Sequence, residues 1–338
     1  MRLSAHVLTA ALLTGALMGC SSEYGVPQTA PTTVLPVELR SSEILAKTHA
    51  DANLPRVNTA TFGIYATSYD MSVLYGYPFN DRSNGPPVCT VGSLTYPGDI
   101  AVDRKGDLLV VNGDNTIRVY KGPGLCGAEL GSIADPFGYI FADVASRDGQ
   151  TIVASYDYGP TGQNGVAVCT LSGGCTRHLH APGSTFTDGV AVAPNGDCWA
   201  SGTVKGTVTA YLAYFAHCQH NGVATTGFQN TSPSTLDIDA NGNLVATDAS
   251  YSSSLYIYSG CNPACTLVGG PFQLKGTGVL TQGRLDANSH KFIAPDSPGK
   301  VNVYSYSTSG LKYLYSFSNG LTHGYDSPVA AFSPNSKE

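Results

Sequence analysis

Oxygen-bearing side chains recur at matching points of this 338-residue chain. Brought together, they would form a candidate site for a hard cation such as Ca2+, which binds oxygen ligands. One set is Asn112, Ser155, Asp248 and Asp296, with Ser68 and Gly202 at the corresponding points of two further repeats; each follows a short apolar run. A second set, Asp99, Asp143, Asp188 and Asp326, precedes or opens such runs. The same residue types also cap turns and satisfy backbone donors, so their placement decides between ligand and cap. His323, in Thr322-His-Gly-Tyr-Asp326, could face the same place. His178-Leu-His180 and His217-Cys-Gln-His220 each lack a third ligand for a transition metal. No phosphate-cradling glycine loop, nucleophile elbow or zincin motif is present.

The elements that position these residues follow from a repeated turn. It reads Arg104-Lys-Gly-Asp107, Arg147-Asp-Gly-Gln150, Pro194-Asn-Gly-Asp197, Ala240-Asn-Gly-Asn243, Ala287-Asn-Ser-His290 and Pro334-Asn-Ser-Lys337. Steps between the third residues are 43, 47, 46, 47 and 47 residues. Asn and Gly tolerate the positive φ of a tight hairpin, and apolar runs flank most of the turns. Asp99-Ile-Ala-Val-Asp103 precedes the first turn, and Leu108-Leu-Val-Val111 follows it. A third run ends in Tyr in most units (Tyr120, Tyr211, Tyr258, Tyr304), a periodicity that predicts packing between units. A looser fourth run closes each unit. Four short strands at this pitch predict propeller blades.

The last turn lies two residues from the C-terminus, so its unit has a first strand only. The missing strands are at the other end, in Thr61–Thr67, Leu74–Tyr77 and Val88–Val91. The expectation is therefore an all-β, six-bladed propeller, residues 59–338, whose ring closes by pairing the C-terminal strand with the N-terminal segment. Composition agrees: Gly 39 and Tyr 20 suit a turn-rich β protein, and charged residues at 12% are about half the usual share. A net charge of −6 without a basic stripe argues against nucleic acid as a partner.

Ahead of the blades, Arg2 and an apolar stretch from Val7 to Met18 read as a secretory signal, too short to span a bilayer. Its end, Leu17-Met18-Gly19-Cys20, resembles the bacterial lipobox. That resemblance implies a signal peptide over 1–19, acylation of Cys20 with palmitate-type chains, and a membrane partner reached through the lipid. Met18 departs from the Ala or Ser more usual there. Residues 20–58, rich in Ser, Thr and Pro, read as a flexible tether. Ser21 in place of the Asp that retains such lipoproteins at the inner membrane favours the outer membrane in a Gram-negative host, on its periplasmic or surface side.

Nine cysteines less Cys20 leave an even number for an oxidising compartment. Spacing pairs Cys169 with Cys175 and Cys261 with Cys265 across short loops. Cys198 and Cys218 fall in one blade, and elimination leaves Cys89 with Cys126, tying the first blade to the second.

The repeats, such as Thr187-Asp-Gly-Val-Ala-Val-Ala-Pro-Asn-Gly196 and Pro97-Gly-Asp-Ile-Ala-Val-Asp103, resemble the NHL-repeat and gluconolactonase-like propellers from about Thr61 onward. That resemblance implies a funnel on one face and, in its lactonases, a divalent cation held by Glu, Asn and Asp. Asn112 and Asp248 match two of these, but the only Glu between Glu43 and Glu338 is Glu129, in an outer-strand region. Streptogramin-lyase-like propellers use a funnel His, for which His323 is the candidate. The missing Glu favours a non-catalytic envelope module that docks a protein, peptide or glycan. The alternative is a metal-dependent hydrolase or lyase using the funnel, with Ca2+ as the candidate cofactor.

Overall fold

The computed structural model describes residues 63–68, 72–78, 84–103, 105–122, 126–136, 139–146, 149–157, 163–204, 207, 209–250, 253–280, 282–297, 299–321 and 328–332. The signal peptide, Cys20, the tether, His323 and Asp326 lie outside the described residues, as does the side chain of Ser68.

The chain forms six antiparallel sheets of four or five strands arranged in a ring, a six-bladed β-propeller. Blade one is built from both ends of the chain: Pro328–Phe332 is its innermost strand, followed outward by Gly63–Ser68, Leu74–Pro78 and Cys89–Val91. Closure runs through the pairs Ile64↔Phe332 to Ser68↔Pro328. Blade two comprises Ile100–Val102, Leu108–Asn112, Thr116–Tyr120 and Glu129–Ala134. Blade three comprises Tyr139–Ser146, Ile152–Asp157, Gly165–Thr170 and Gly174–His180. In blade four the order is Ser184–Val192, Cys198–Val204, Ala210–Phe215 and Val223–Ala224. Blade five has Pro233–Ile238, Leu244–Asp248, Ser254–Ser259 and Thr266–Gln273. Blade six starts with a broken inner strand, Val279–Leu280 and Arg284–Leu285, and continues through Lys291–Ser297, Lys300–Ser307 and Gly310–Phe317.

The core is a set of layers between blades, because strand side chains alternate between faces and both faces of a blade are covered. Ile152 and Ala154 pack toward blade two, whereas Val153 between them packs toward blade four. Leu108 and Val110 face blade one, and Leu109 and Val111 face blade three. This is why second strands read as unbroken apolar runs. The periodic Tyr120, Tyr211, Tyr258 and Tyr304 are all buried in these layers, as their spacing predicts.

The hairpin turns carry their own caps. Asp103 Oδ1 accepts from the amides of Lys105 and Asp107 at 2.8 and 2.9 Å, and Asp239 Oδ1 does the same for Asn241 and Asn243. Gly106 and Gly242 supply the left-handed backbone at φ 91° and 81°. Four disulfides join Cys89–Cys126, Cys169–Cys175, Cys198–Cys218 and Cys261–Cys265. The first ties blade one to the segment between the third and fourth strands of blade two.

Candidate functional site

The innermost strands line the axis, and each touches the next around the ring. Strand pairing places Asp99, Asp143, Gly189 and Thr235 at one corresponding point, each just before the residue opposite Val110, Ala154, Ala200 or Ala246. Their side chains link neighbouring blades. Asp99 Oδ2 accepts from Val144 N at 3.1 Å, Asp143 Oδ2 from Val190 N at 2.8 Å, and Thr235 Oγ1 from Gly283 N at 2.8 Å. Gly189 has no side chain to offer because blade five comes too close: a Cβ there would lie 2.4 Å from Ser234 O.

Arg284, from the inner strand of blade six, fills the centre. Its Nη1 donates to Leu236 O of blade five at 2.8 Å, and its Nη2 to Val144 O of blade three at 3.0 Å. Nη2 also pairs with the carboxylates of Asp99 and Asp143, and Nε points at Ile100 O of blade two at 3.4 Å. Blades two and five face each other across a six-membered ring, so a guanidinium that bonds both must cross the axis. Oxygen donors do converge at the centre, and the cation they hold belongs to the chain itself. Burial opposes the charge on Arg284, but Asp143, Asp99 and Asp237 outweigh it and raise its pKa. Burial pushes Asp143 well above the usual carboxylate range; Arg284 opposes this and Asp99 adds to it.

The residues closing the second strands have a different task. Asn112 Oδ1 accepts from Thr95 N at 2.7 Å, and Asp248 Oδ2 from Thr231 N at 2.6 Å and Ser232 N at 3.2 Å. Asp248 Oδ1 accepts from Ser250 N at 2.9 Å. Asp296 Oδ1 accepts from the amides of Gly278 and Val279, both at 2.9 Å, and its Oδ2 pairs with Lys300 at 3.2 Å. Each holds the segment that enters its own blade. Burial works to raise the Asp248 pKa, but the donors of Thr231, Ser250 and Ser232 prevail and lower it. Among the described residues no three His, Cys, Asp or Glu side chains form a group that could hold a metal. With Asn112, Asp248 and Asp296 bound to amides of separate blades, the donor set does not fit a lactonase-type cation.

Two second strands run further than the sequence pattern places them. Ser155 lies inside Ile152–Asp157, where its Oγ accepts from Asp143 N at 2.9 Å, and the strand ends at Asp157. Gly202 likewise lies inside Cys198–Val204, with Phe186 O in the way of any Cβ. Asp157 is the residue that sequence reasoning missed. Its Oδ1 accepts from Thr187 N of blade four at 3.1 Å, and its buried Oδ2 has no hydrogen-bond partner among the described residues. Next to Thr187, Asp188 is the extra residue of a β-bulge, between the pairs Thr187↔Gly202 and Gly189↔Ser201. Burial, less the Thr187 hydrogen bond and with the charge of Asp188 added, pushes Asp157 up to about 7. Burial, with the charge of Asp143 added, takes Asp188 to about 7 as well.

No family model matches the chain, and no curated protein matches it. Solved structures do. A functionally unknown protein from Desulfotomaculum acetoxidans is 14% identical, covering 78% of this chain and 81% of its own, with a TM-score of 0.51. The Dos1 propeller is 12% identical over 79% of this chain and 69% of its own (TM-score 0.45). A streptogramin B lyase is 12% identical over 75% of this chain and 73% of its own (TM-score 0.47). Likeness at this distance speaks to the propeller fold alone.

Proposed function

We propose that this protein is a lipid-anchored binding module of the cell envelope, its propeller presenting a rim surface to a protein, peptide or glycan. The observation that carries the reading is the saturation of the axis. Among the described residues the centre is filled by Arg284, and the second-strand oxygens of Asn112, Asp248 and Asp296 are engaged by the chain's own amides. The rim beside those donors also exposes large apolar side chains: Tyr96 is 57% exposed and Val279 47%. Tyr96 is held at φ 45°, a backbone conformation that bulky residues rarely adopt. Leu17-Met18-Gly19-Cys20 supports the anchor, since stable membrane attachment takes more than one acyl chain.

The test has two arms. Cys20→Ser should abolish incorporation of labelled palmitate and release the protein from membranes; a variant still labelled and membrane-bound overturns the anchor. The purified protein should show no chelator-sensitive hydrolysis of aldonolactones or aryl esters, and such hydrolysis would overturn the binding reading. One observation favours catalysis instead: Asp157 and Asp188 have pKa values near 7, the range of a general acid–base. A bell-shaped pH–rate profile lost in Asp157→Asn would support that second reading.

A further inference from the structure

Where the segment entering blade six leaves blade five, a cleft of about 300 Å³ opens between their outer strands. It is lined by Gln273 and Lys275 from blade five and by Tyr304, Leu311, Lys312 and Tyr313 from blade six. The cleft is rigid at its base. Tyr304 is buried, its hydroxyl donating to Lys275 O at 2.8 Å and lying 2.8 Å from Thr277 Oγ1. Tyr313 stands edge-on to it at 5.8 Å between centroids and remains 44% exposed.

The charge of this cleft is at odds with the rest of the chain. The protein is acidic overall, with a net charge of −6, yet two lysines line the cleft and no carboxylate does. Neither ammonium has an acidic partner among the described residues, whereas Arg118, Arg284 and Lys300 do. Two like charges on one concave surface repel each other, and a bound anion would remove that repulsion. The remaining walls specify more than charge. The exposed face of Tyr313 and the side chain of Leu311 offer an apolar platform for a ring, and the Gln273 amide can both donate and accept toward hydroxyls. The size suits one substituted ring, at the lower end of small-molecule pockets.

We propose that this cleft binds a carboxylate-bearing sugar unit, its acid group between Lys275 and Lys312 and its ring against Tyr313. This rests on the binding-module reading and names its ligand class. Calorimetric titration of the full mature protein with trigalacturonate, maltotriose and inorganic phosphate tests it. Trigalacturonate should bind, and maltotriose should bind at least about tenfold more weakly for want of charge. Raising NaCl from about 50 to about 300 mM should weaken the acid sugar several-fold, since the lysines are exposed. Lys312→Glu should abolish binding, and Tyr313→Ala should weaken trigalacturonate while leaving phosphate unchanged. Both positions are on the surface, so the variants should melt like the parent.

Equal affinity for phosphate and trigalacturonate would overturn the sugar assignment. No binding of the acid sugar, or binding unchanged in Lys275→Glu/Lys312→Glu, would overturn the site. Either result leaves the binding-module reading standing, because that reading is tested separately by turnover and by the Cys20→Ser variant.

Discussion

Two groups of buried carboxylates lie along the same channel, and they differ in what stands opposite them. Asp99 and Asp143 meet the guanidinium of Arg284, and each also accepts an amide from the next blade, Asp99 on the same oxygen and Asp143 on its other one. Asp157 has the charge of Asp188 beside it, and no ion pair joins either of them to a cation among the described residues. The fold and the residue type are alike. The difference is one arginine. A buried carboxylate is costly unless it is paired, so Arg284 works against the burial of Asp143 and makes the first group a hub, while nothing comparable offsets the burial of Asp157 and Asp188.

The strongest way to break this contrast is to remove the hub. Arg284→Met keeps most of the volume but strands Asp99, Asp143 and Asp237 around an apolar side chain. Breaking a buried pair from one side costs about 3–5 kcal/mol, and here four blades lose a common anchor. Urea unfolding should show a lower midpoint and a loss of unfolding free energy of that size, with Arg284→Lys intermediate because a point charge cannot reach all of the acceptors at once. An unchanged midpoint in Arg284→Met would mean that the axis does not need its cation.

The second group is sharpened by pH. Asp157 titrates near 7 when folded, against about 3.9 unfolded, so the native state holds its proton more tightly. Stability from this group is complete below about pH 4 and falls as pH rises toward 7, levelling off above it. By linkage the drop amounts to a few kcal/mol, about 1.4 for each pH unit of the shift. Asp188 is the carboxylate whose charge acts on Asp157, and Asp188, raised in turn by burial and by Asp143, shares part of the effect. Asp157→Asn should flatten the profile between pH 5 and 8 and be the more stable protein at pH 8. A parent whose urea midpoint rises over that range would contradict the assignment.

How much of this was legible in the sequence depends on whether the signal repeats. The blades were, because a turn recurring every 43 to 47 residues leaves one closed arrangement for strands that begin mid-blade. Two disulfides were, since cysteines four to six residues apart flank one short loop, and the other two followed by elimination. The hub was not. Arg284 occurs once, and only a broken pattern marks it: blade six has Gly283-Arg-Leu-Asp286 where blade two has Ile100-Ala-Val-Asp103. A charged residue replacing an apolar one inside an inner strand was the available clue. Asp157 was hidden by register, because Ser155 looks like a strand end until pairing with Val166 shows the strand continuing. The cap-or-ligand ambiguity at Asn112, Asp248 and Asp296 could not be resolved without knowing which amides lie opposite.

Those three residues give the smallest and most discriminating effect. Asp248 is the best supplied of them, with backbone donors from Thr231, Ser232 and Ser250 holding it charged. Asp248→Ala leaves these amides to find water at a partly buried rim, which should cost about 1–3 kcal/mol. Asp248→Asn retains one acceptor oxygen and should recover part of that loss. If Asp248 only holds the segment entering blade five, the deficit appears in unfolding and nowhere else, and added Ca2+ leaves the parent and both variants unmoved. A melting temperature that rises with millimolar Ca2+ in the parent and not in Asp248→Ala would return this carboxylate to the ligand set. It would also remove the distinction between a channel saturated by its own side chains and one that awaits a cation.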